Sequence, residues 1–333
     1  MYMKLVVVGV GYWGPKLVRN FLSNDEIDAV MAYDLDDRKL AKLKREFPSV
    51  EISKSLVECL TVSDIAVIAT PVSTHFELAS QALQADCHVL VEKPMTATVD
   101  EGERLVSLAS KKGKLLMVDH TFLFNSAVKK MKEVVDRGDL GRGLYFDSVR
   151  VNLGLYQSDV NVIWDLAPHD FSIMMHLVPF KPIAVQVHGM QYFRKGMEDM
   201  AYVTVFFEEN YLANFHLSWL SPTKVRRITL AGDRRMLVYD DMESNEKVKI
   251  YDKGVELIEN VEDRDQVRIQ YRIGDIHTPA LPNREALADE AQHFIDCIQG
   301  RSKLIASGQE GLWVVRLLEA ADYSLRSGKK VCL

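Results

Sequence analysis

Cysteines are few in this chain, and long hydrophobic runs are missing. Its 333 residues include four cysteines, and no two of them stand close enough to form a Cys-x-x-Cys pair. This argues for free thiols in a reducing compartment. No apolar stretch reaches the ~18 residues that a membrane-spanning helix needs. The apolar run at residues 5–8 is too short for the core of a signal peptide. We therefore expect a soluble protein of the cytoplasm.

Basic runs are missing as well. The formal net charge of -6 is spread along the chain, and no block of lysines or arginines is long enough for a nucleic-acid groove or an anionic membrane surface. Hydrophobic residues make up 47% of the chain and charged residues 26%, which is typical of a globular protein with a substantial core. The length exceeds that of one usual domain and predicts two.

The first 121 residues alternate short β-branched runs with helical stretches. Predicted strands lie at residues 4–8, 29–33, 64–70, 88–92 and 115–119, and amphipathic segments such as 74–85 and 98–111 lie between most of them. Near-continuous apolar strands separated by helices predict a parallel sheet covered on both faces, a doubly wound α/β fold. A helix at 125–137 then ends in the glycine-rich residues 138–143, where the pattern changes. We assign residues 1–121 to the first domain and 122–333 to the second.

The second region has period-two alternation. It occurs at residues 144–151, 184–193, 201–207, 212–220 and 227–238, with turn residues at 209–210 and 232–233. Such runs joined by short turns predict an open, mostly antiparallel sheet with one packed face. Helices are predicted at 284–299 and 309–326, and they are candidates to pack back on the first domain. Residues 274–282 are interpreted as a long loop.

A glycine-rich turn follows the first predicted strand. Gly9-Val10-Gly11-Tyr12-Trp13-Gly14 is a G-x-G-x-x-G between an apolar strand and a helical stretch, which is the setting of a dinucleotide-binding fingerprint. Gly9 permits the tight turn, Gly11 lets the backbone approach the pyrophosphate, and Gly14 lets helix and strand pack closely. Asp34 at the end of the second strand can accept hydrogen bonds from the ribose hydroxyls of NAD. Arg38 leaves some tolerance for NADP. The alternative is a glycine-rich turn of some other α/β protein.

Two further strand ends carry polar residues. Glu92-Lys93-Pro94 ends one predicted strand, and Thr70-Pro71 ends another, with His75 close behind. Open α/β sheets bind ligands at the carboxyl edge of their strands. A lysine there can orient a substrate hydroxyl and stabilise negative charge on its oxygen, although a lone lysine at a strand end is more often a surface residue.

A second cluster of polar residues lies at 161–170. Asp165 and His169 are four residues apart, so on a helix they share one face. A carboxylate beside an imidazole fixes its orientation and suits a general base. The alternative is a helix start in which Asp165 or Asp170 is the cap and His169 is incidental. A metal site on Asp165 and His169 lacks a visible third ligand, so no metal is expected.

These motifs together resemble those of the Gfo/Idh/MocA oxidoreductases. The likeness covers the whole chain, because the fingerprint at 9–14, Thr70-Pro71, Glu92-Lys93-Pro94 and the Asp165…His169 pair occur in the family's order and spacing. A narrower likeness, carried by residues 11–15, 119–122 and 150–170, is to the nucleotide-sugar branch that includes UDP-N-acetylglucosamine 3-dehydrogenases. Lys16, where that branch usually has asparagine, and Pro168 before His169 depart from the common patterns.

The resemblance implies a Rossmann domain followed by an α/β domain that often builds homodimers or homotetramers. It implies an NAD(P)-dependent dehydrogenase in which Lys93 and His169 are catalytic, Asp165 assists, and the substrate is a sugar or nucleotide sugar oxidised at the 3-hydroxyl of a UDP-N-acetyl-hexosamine. The expected cofactor-binding residues are Gly9, Gly11, Tyr12, Trp13, Gly14, Asp34, Arg38, Thr70, Pro71, His75, Glu92 and Lys93. The expected substrate-binding residues are His120, Arg150, Asn152, Tyr156, Asn161 and Trp164.

Several alternatives remain at this point. Arg150 is either a ligand of the substrate's phosphate or carboxylate or a partner in a structural salt bridge. The same fold also serves NAD-dependent glycosidases, dehydrogenases of inositol or free sugars, and non-catalytic sensors of nucleotides. The last class can dispense with the lysine and the histidine, and this chain has both.

Overall fold

The computed structural model describes residues 3–154, 156–157, 160–259 and 267–333. The chain divides into two compact units: Met1–Asn125 with Arg284–Glu319, and Ser126–Asn283 with Ala320–Leu333. The boundary predicted after residue 121 falls within the 3-10 helix Thr121–Phe124, just before the second unit begins. The chain then returns to the first unit at Arg284, so the second unit is not one continuous stretch.

The first unit begins with a repeated strand–helix alternation. Its elements up to residue 119 are β1 (Met3–Val8), α1 (Gly14–Leu22), β2 (Ile27–Tyr33), α2 (Asp37–Glu46), β3 (Glu51–Ile52), α3 (Leu56–Val62), β4 (Ile65–Ile68), α4 (His75–Gln84), β5 (His88–Glu92), α5 (Val99–Lys112) and β6 (Leu116–Asp119). Among the described residues, these strands form one six-stranded sheet in the order β3-β2-β1-β4-β5-β6. Every pairing is parallel. The predicted doubly wound sheet is confirmed.

The apolar strands explain this arrangement. All four residues of β4 and of β6 are buried, because helices cover both faces of the sheet. On one face Val89, Val91 and Val118 pack with Leu105 of α5 in a single hydrophobic cluster. The carboxyl ends of β1, β2, β4, β5 and β6 are therefore held at one edge, which is where this class of fold places its ligands.

The second unit contains the remaining strands. The elements from residue 126 onward are α6 (Ser126–Asp136), β7 (Gly143–Leu153), α7 (Val162–Leu177), β8 (Pro182–Met190), β9 (Met200–Phe207), β10 (Leu212–Ser218), β11 (Leu220–Gly232), β12 (Met236–Asp240), β13 (Val248–Glu259), β14 (Val267–His277), α8 (Ala286–Ile298), α9 (Gly308–Ser327) and β15 (Val331–Cys332). The described strands form a nine-stranded sheet in the order β14-β13-β12-β11-β7-β10-β9-β8-β15. Only the β7–β10 pairing among them is parallel, so the mostly antiparallel sheet is confirmed.

Some local predictions were wrong. The loop predicted at 274–282 begins inside β14, which continues to His277. The single run predicted at 227–238 is two strands, because β11 and β12 meet as an antiparallel pair around Gly232. The end of β14 depends on its pairing with β13, which the local pattern does not contain. The turn residues at 232–233 do mark the break between β11 and β12.

The helix α8 belongs to the first unit. It packs against α1 and the 3-10 helix Thr121–Phe124. The side chain of Asn24 donates to Gln292 of α8 at 2.8 Å, and Arg19 pairs with Glu285 just before the helix. Within the described ranges, no helix is long and apolar enough to cross a membrane.

Candidate active site

The glycine-rich turn lies between β1 and α1. Gly9 adopts φ +92°, and a Cβ atom there would lie 2.6 Å from the carbonyl oxygen of Ala69. A Cβ atom on Gly14 would lie 2.3 Å from the carbonyl oxygen of Gly9, so the first turn of α1 can approach the end of β1 only as glycine. Nothing lies within 4 Å of the corresponding position on Gly11. The turn therefore leaves open space above the start of α1, as binding of a pyrophosphate there requires.

The two aromatic residues of the turn, Tyr12 and Trp13, make cation–π contacts with Lys16. The ammonium group of Lys16 lies 4.0 Å from the ring centre of Tyr12 and 3.9 Å from that of Trp13. The side chain of Tyr12 is largely exposed and that of Trp13 is partly so. Contacts of these two rings with the cofactor stay a prediction.

The carboxylate of Asp34 is fixed by backbone donors. Its Oδ2 accepts a hydrogen bond from the amide of Val10 at 2.8 Å, and its Oδ1 accepts one from the amide of Asp36 at 2.8 Å. Lys39 lies 3.9 Å from the same Oδ2. Arg38 is exposed and donates to Asp36 instead. Asp34 therefore connects the end of β2 to the glycine-rich turn and places a carboxylate beside that turn.

His75 is buried behind the end of β4. One ring nitrogen lies 2.9 Å from the carbonyl oxygen of Pro94, and the other lies 2.8 Å from that of Thr70. Burial lowers the pKa of His75. The ring joins the segment after β4 to the segment after β5. A direct contact of His75, Thr70 or Pro71 with the cofactor stays a prediction.

Glu92 and Lys93 follow at the carboxyl end of β5. Oε2 of Glu92 accepts a hydrogen bond from the backbone amide of Lys93 at 3.1 Å, and Glu92 pairs in register with Asp119 of β6. Burial raises the pKa of Glu92 well above its usual value, and the neighbouring Asp119 carboxyl raises it further. His120, which follows Asp119, is buried as well. The predicted lysine thus stands at the edge of the sheet with acidic neighbours.

In the second unit, α7 begins at a well-formed cap. Asn161 is the N-cap, and its side-chain oxygen accepts hydrogen bonds from the amides of Ile163 and Trp164, each at 3.1 Å. The alternative that Asp165 or Asp170 caps the helix is therefore wrong. Asn161 also donates to Asp322, and the indole of Trp164 donates to the same carboxylate at 2.8 Å. Both residues thus have structural partners, and their contact with substrate stays a prediction.

Asp165 and His169 lie one turn apart on α7. Oδ2 of Asp165 accepts a hydrogen bond from the indole N–H of Trp219 at 3.0 Å. The backbone carbonyl of His169 accepts one from the hydroxyl of Ser172 at 2.8 Å. The i, i+4 spacing places the carboxylate and the imidazole on one helix face, so they can act as an oriented acid–base pair.

Arg150 is engaged in a buried ion pair. Its Nε and a terminal nitrogen donate to the two carboxylate oxygens of Asp170 at 2.9 and 2.7 Å. The side chains of both residues are almost completely buried. The structure thus shows the salt bridge that was one of the two alternatives. A contact of Arg150 with the substrate stays a prediction. The pair fastens α7 to β7.

Tyr156 lies against aromatic residues. Its ring centre is 5.1 Å from that of Trp219 and 6.2 Å from that of Phe193. Asn152, near the end of β7, is half-buried beside Gly154. Tyr156 is thus connected to Asp165 through a single residue, Trp219.

Sequence reasoning did not single out four residues that the structure places beside predicted ones: Asp119 and Glu290 in the first unit, and Trp219 and Phe193 in the second. Two of them had a visible signal. Asp119 ends a predicted strand next to the one that Glu92 ends, and Glu290 interrupts the apolar stripe Leu287, Ala291, Phe294 of α8. Trp219 had none, because its contact with Asp165 joins segments far apart in the chain.

Two family models match this chain. The model of the oxidoreductase family with an NAD-binding Rossmann fold, GFO_IDH_MocA, matches residues 3–120. The GFO/IDH/MocA C-terminal domain matches residues 128–238.

Individual proteins are similar over the full length. The chain is 25% identical over 328 residues to the UDP-N-acetylglucosamine 3-dehydrogenase of Acidithiobacillus ferrooxidans, with 96% of each chain covered. It is 24% identical over 356 residues to the scyllo-inositol 2-dehydrogenase (NADP(+)) IolW of Bacillus subtilis, covering 99% of this chain and 97% of that protein. The WlbA dehydrogenase from Bordetella pertussis, solved with NADH and UDP-GlcNAcA, has a TM-score of 0.82 at 18% identity, with 100% and 99% covered, and shows the shared fold.

The residues present fit a nicotinamide cofactor, because the turn at Gly9 and Gly14 leaves the start of α1 open and Asp34 is held beside it. The two matched models cover well over half of the chain and both halves of the fold. The protein belongs to the Gfo/Idh/MocA oxidoreductases, enzymes with a nicotinamide cofactor.

Proposed function

We propose that this protein is an NAD-dependent dehydrogenase of a nucleotide sugar, acting on the 3-hydroxyl of a UDP-N-acetyl-hexosamine. A nicotinamide cofactor held by the turn at Gly9 and Gly14 and by Asp34 would supply the acceptor for the hydride from the carbon that bears this hydroxyl. His169 takes the hydroxyl proton, and Asp165 keeps the imidazole in orientation. Lys93 stabilises the negative charge that develops on the oxygen.

The observation that carries the proposal is the chain of contacts Tyr156–Trp219–Asp165. The half-exposed ring of Tyr156 packs on Trp219, whose indole N–H donates to the carboxylate beside His169. An aromatic ring so close to an acid–base pair offers a face on which a sugar or a base can stack.

The loop after β8 carries aromatic and cationic side chains that could bind a nucleoside diphosphate. Phe193 is exposed and contacts Tyr156, and Arg194 and Lys195 follow it on the surface. Exposed aromatic rings next to cationic side chains suit a nucleoside diphosphate, since the base stacks and the phosphates attract the cations. The full-length likeness to a UDP-N-acetylglucosamine dehydrogenase supports the same substrate class.

The preference for NAD is argued from Asp34. Its fixed negative charge can accept hydrogen bonds from the ribose hydroxyls and would repel a phosphate in their place. Arg38, which could neutralise such a phosphate, is paired with Asp36.

The test is a substrate panel. Purified protein is mixed with NAD or NADP and with UDP-N-acetyl-hexosamines, other nucleotide sugars, free sugars and inositols, and NAD(P)H absorbance is followed. We expect reduction of NAD with a UDP-N-acetyl-hexosamine and identification of a 3-keto product by mass spectrometry after deuteride trapping. Reduction with inositol or glucose but with no UDP-sugar would contradict the substrate class and leave the family unchanged.

A further inference from the structure

Three buried carboxyl groups meet beside Lys93 in the first unit. Glu92 ends β5, Asp119 ends β6, and Glu290 lies on α8, with exposed fractions of 9%, 4% and 1%. Glu92 and Asp119 are partners in the parallel register, and the Asp119 side chain also lies against Glu290 and raises its pKa. The three come from distant parts of the chain, yet they form one cluster, which we call the acid cluster.

The acid cluster has few donors. The amide of Lys93 donates to Glu92 at 3.1 Å, and the hydroxyl of Thr121 donates to Oδ1 of Asp119. Among the described residues, Oδ2 of Asp119 and both oxygens of Glu290 have no hydrogen-bond partner. Two facing carboxylates both accept and neither donates, so they can form a hydrogen bond only when one of them carries a proton.

The charges around the cluster do not balance if every acid is ionised. Among the described residues, Lys93 is the cation that acts on Glu92, so three negative charges would face one positive charge in a buried environment. His120 does not add a second cation, because burial and the charge of Lys93 lower its pKa to about 3. Burial raises the pKa of both Glu92 and Glu290 well above their usual values. Unpaired buried carboxylates take up protons in such surroundings.

We propose that Glu92 and Glu290 each carry a proton, and that the one negative charge left in the acid cluster is the counter-ion that positions the ammonium group of Lys93. Glu290 is then a positioning residue, since its proton forms a hydrogen bond to Asp119 and does not reach the substrate. The expected effect on activity rests on the catalytic role proposed for Lys93. The charge state of the acid cluster does not depend on that role. The neutral imidazole of His120 completes the surroundings of Lys93 without competing for the counter-ion.

The link between the cluster and Lys93 gives a test that needs no substrate. Lys93→Met removes the positive charge, so the remaining carboxylate should take up a third proton. Infrared difference spectra of the full-length protein at neutral pH should then show a gain in the C=O stretch of protonated carboxyl groups. Lys93→Arg keeps the charge and should show no gain, and neither should Lys111→Met on the exposed face of α5.

Glu290 is tested by a pair of variants. Glu290→Gln retains an N–H donor to Asp119, whereas Glu290→Leu removes it. Loss of this donor makes the ionised cluster less stable, so in Glu290→Leu the acidic limb of the kcat profile should move to higher pH and kcat at neutral pH should fall about tenfold, with KM nearly unchanged. Glu290→Gln should restore the position of the limb.

The infrared experiment on Lys93 and the pH profiles of the Glu290 variants distinguish a wrong charge state from a wrong substrate. No gain of protonated carboxyl in Lys93→Met would overturn the proposal, whatever the substrate proves to be. An acidic limb that stays in place in Glu290→Leu, or that moves equally in Glu290→Gln, would also overturn it. A protein that reduces NAD with inositol alone would contradict the proposed function, while the infrared result would still decide the charge state.

Discussion

The indole N–H of Trp219 donates a 3.0 Å hydrogen bond to the carboxylate of Asp165. Trp219 is almost fully buried between β10 and β11, and Asp165 is in the first turn of α7. The sheet of the second unit thus fixes Asp165, the residue that we propose orients His169. Preorganised donors of this kind keep a catalytic group in place without cost at the moment of reaction.

Trp219→Phe tests this contact. The ring volume is largely kept while the donor is lost, and a hydrogen bond to a charged group contributes about 1.5–3 kcal/mol. We expect kcat to fall by roughly tenfold to a hundredfold, with NADH affinity unchanged. Trp313→Phe, whose ring contacts Arg316 on α9, is the control and should leave kcat as it is. Equal kcat values for Trp219→Phe and the native protein would show that this hydrogen bond does not contribute to turnover.

Cofactor choice should depend on Asp34. Asp34→Ser removes the negative charge and the acceptors for the amides of Val10 and Asp36. We expect weaker NAD binding and a smaller discrimination against NADP, measured by titration of both cofactors. The control Asp37→Ser, at an exposed residue of the first turn of α2, should change neither affinity. A native protein that binds NADP more tightly than NAD would contradict the assignment.

The Arg150–Asp170 pair should matter for stability more than its surface counterparts do. Arg150→Met leaves the buried Asp170 carboxylate uncompensated, which costs about 3–5 kcal/mol. We expect a clearly lower melting temperature, recovered in large part by Arg150→Met with Asp170→Leu. Arg227→Met breaks the more exposed pair with Asp240 and should cost about 1 kcal/mol or less. Equal losses in the two single variants would refute the distinction.

His88 should contribute to loss of stability in acid. Burial, helped by the charge of Lys114, lowers its pKa from 6.5 to about 4 in the folded protein. Its Nδ1 accepts the amide of Leu115 at 3.1 Å, so the ring is needed in its neutral form. The unfolded chain takes up a proton at higher pH than the folded one, and stability is therefore lost as pH falls from about 6.5 to about 4.

His88→Asn tests this pH dependence, because the amide oxygen of asparagine can replace Nδ1 as an acceptor. Between neutral pH and about pH 5, the melting temperature of the variant should fall less than that of the native protein. Parallel curves for the two proteins would show that His88 is not among the groups responsible.

The outline of the fold was predictable because it depends on local patterns. The continuous apolar runs of β1, β4 and β5 indicated buried parallel strands, and the turn at Gly9 had both the strand and the helix that its fingerprint needs. The strands β13 and β14 were not predicted. The strand β13 pairs with both β12 and β14, and this pairing, not a clean alternation, defines their limits.

The sequence indicated the candidate chemical groups of the site but not the partners of those groups. Lys93, Asp165 and His169 were selected by motif, but the sequence could not tell whether Arg150 faces a ligand or Asp170. Ion pairs and clusters such as Asp119 with Glu290 join residues from remote segments. Only the packed fold brings them together, so local spacing carries no signal for them.

We propose that Lys93 and His169 perform the chemistry on one hydroxyl, and that neither is required for tight binding of the dinucleotide even though Lys93 is expected to lie beside it. Single-turnover hydride transfer, followed by NADH formation across pH, measures this directly in His169→Ala, Lys93→Met and the double variant. We predict that the rate of hydride transfer falls roughly 10²–10⁴-fold in each single variant. The rate loss in the double variant should be far smaller than the product of the two single losses. NADH affinity and melting temperature should stay near native. A near-native rate of hydride transfer in His169→Ala, or a rate loss in the double variant equal to the product of the two single losses, would contradict these roles.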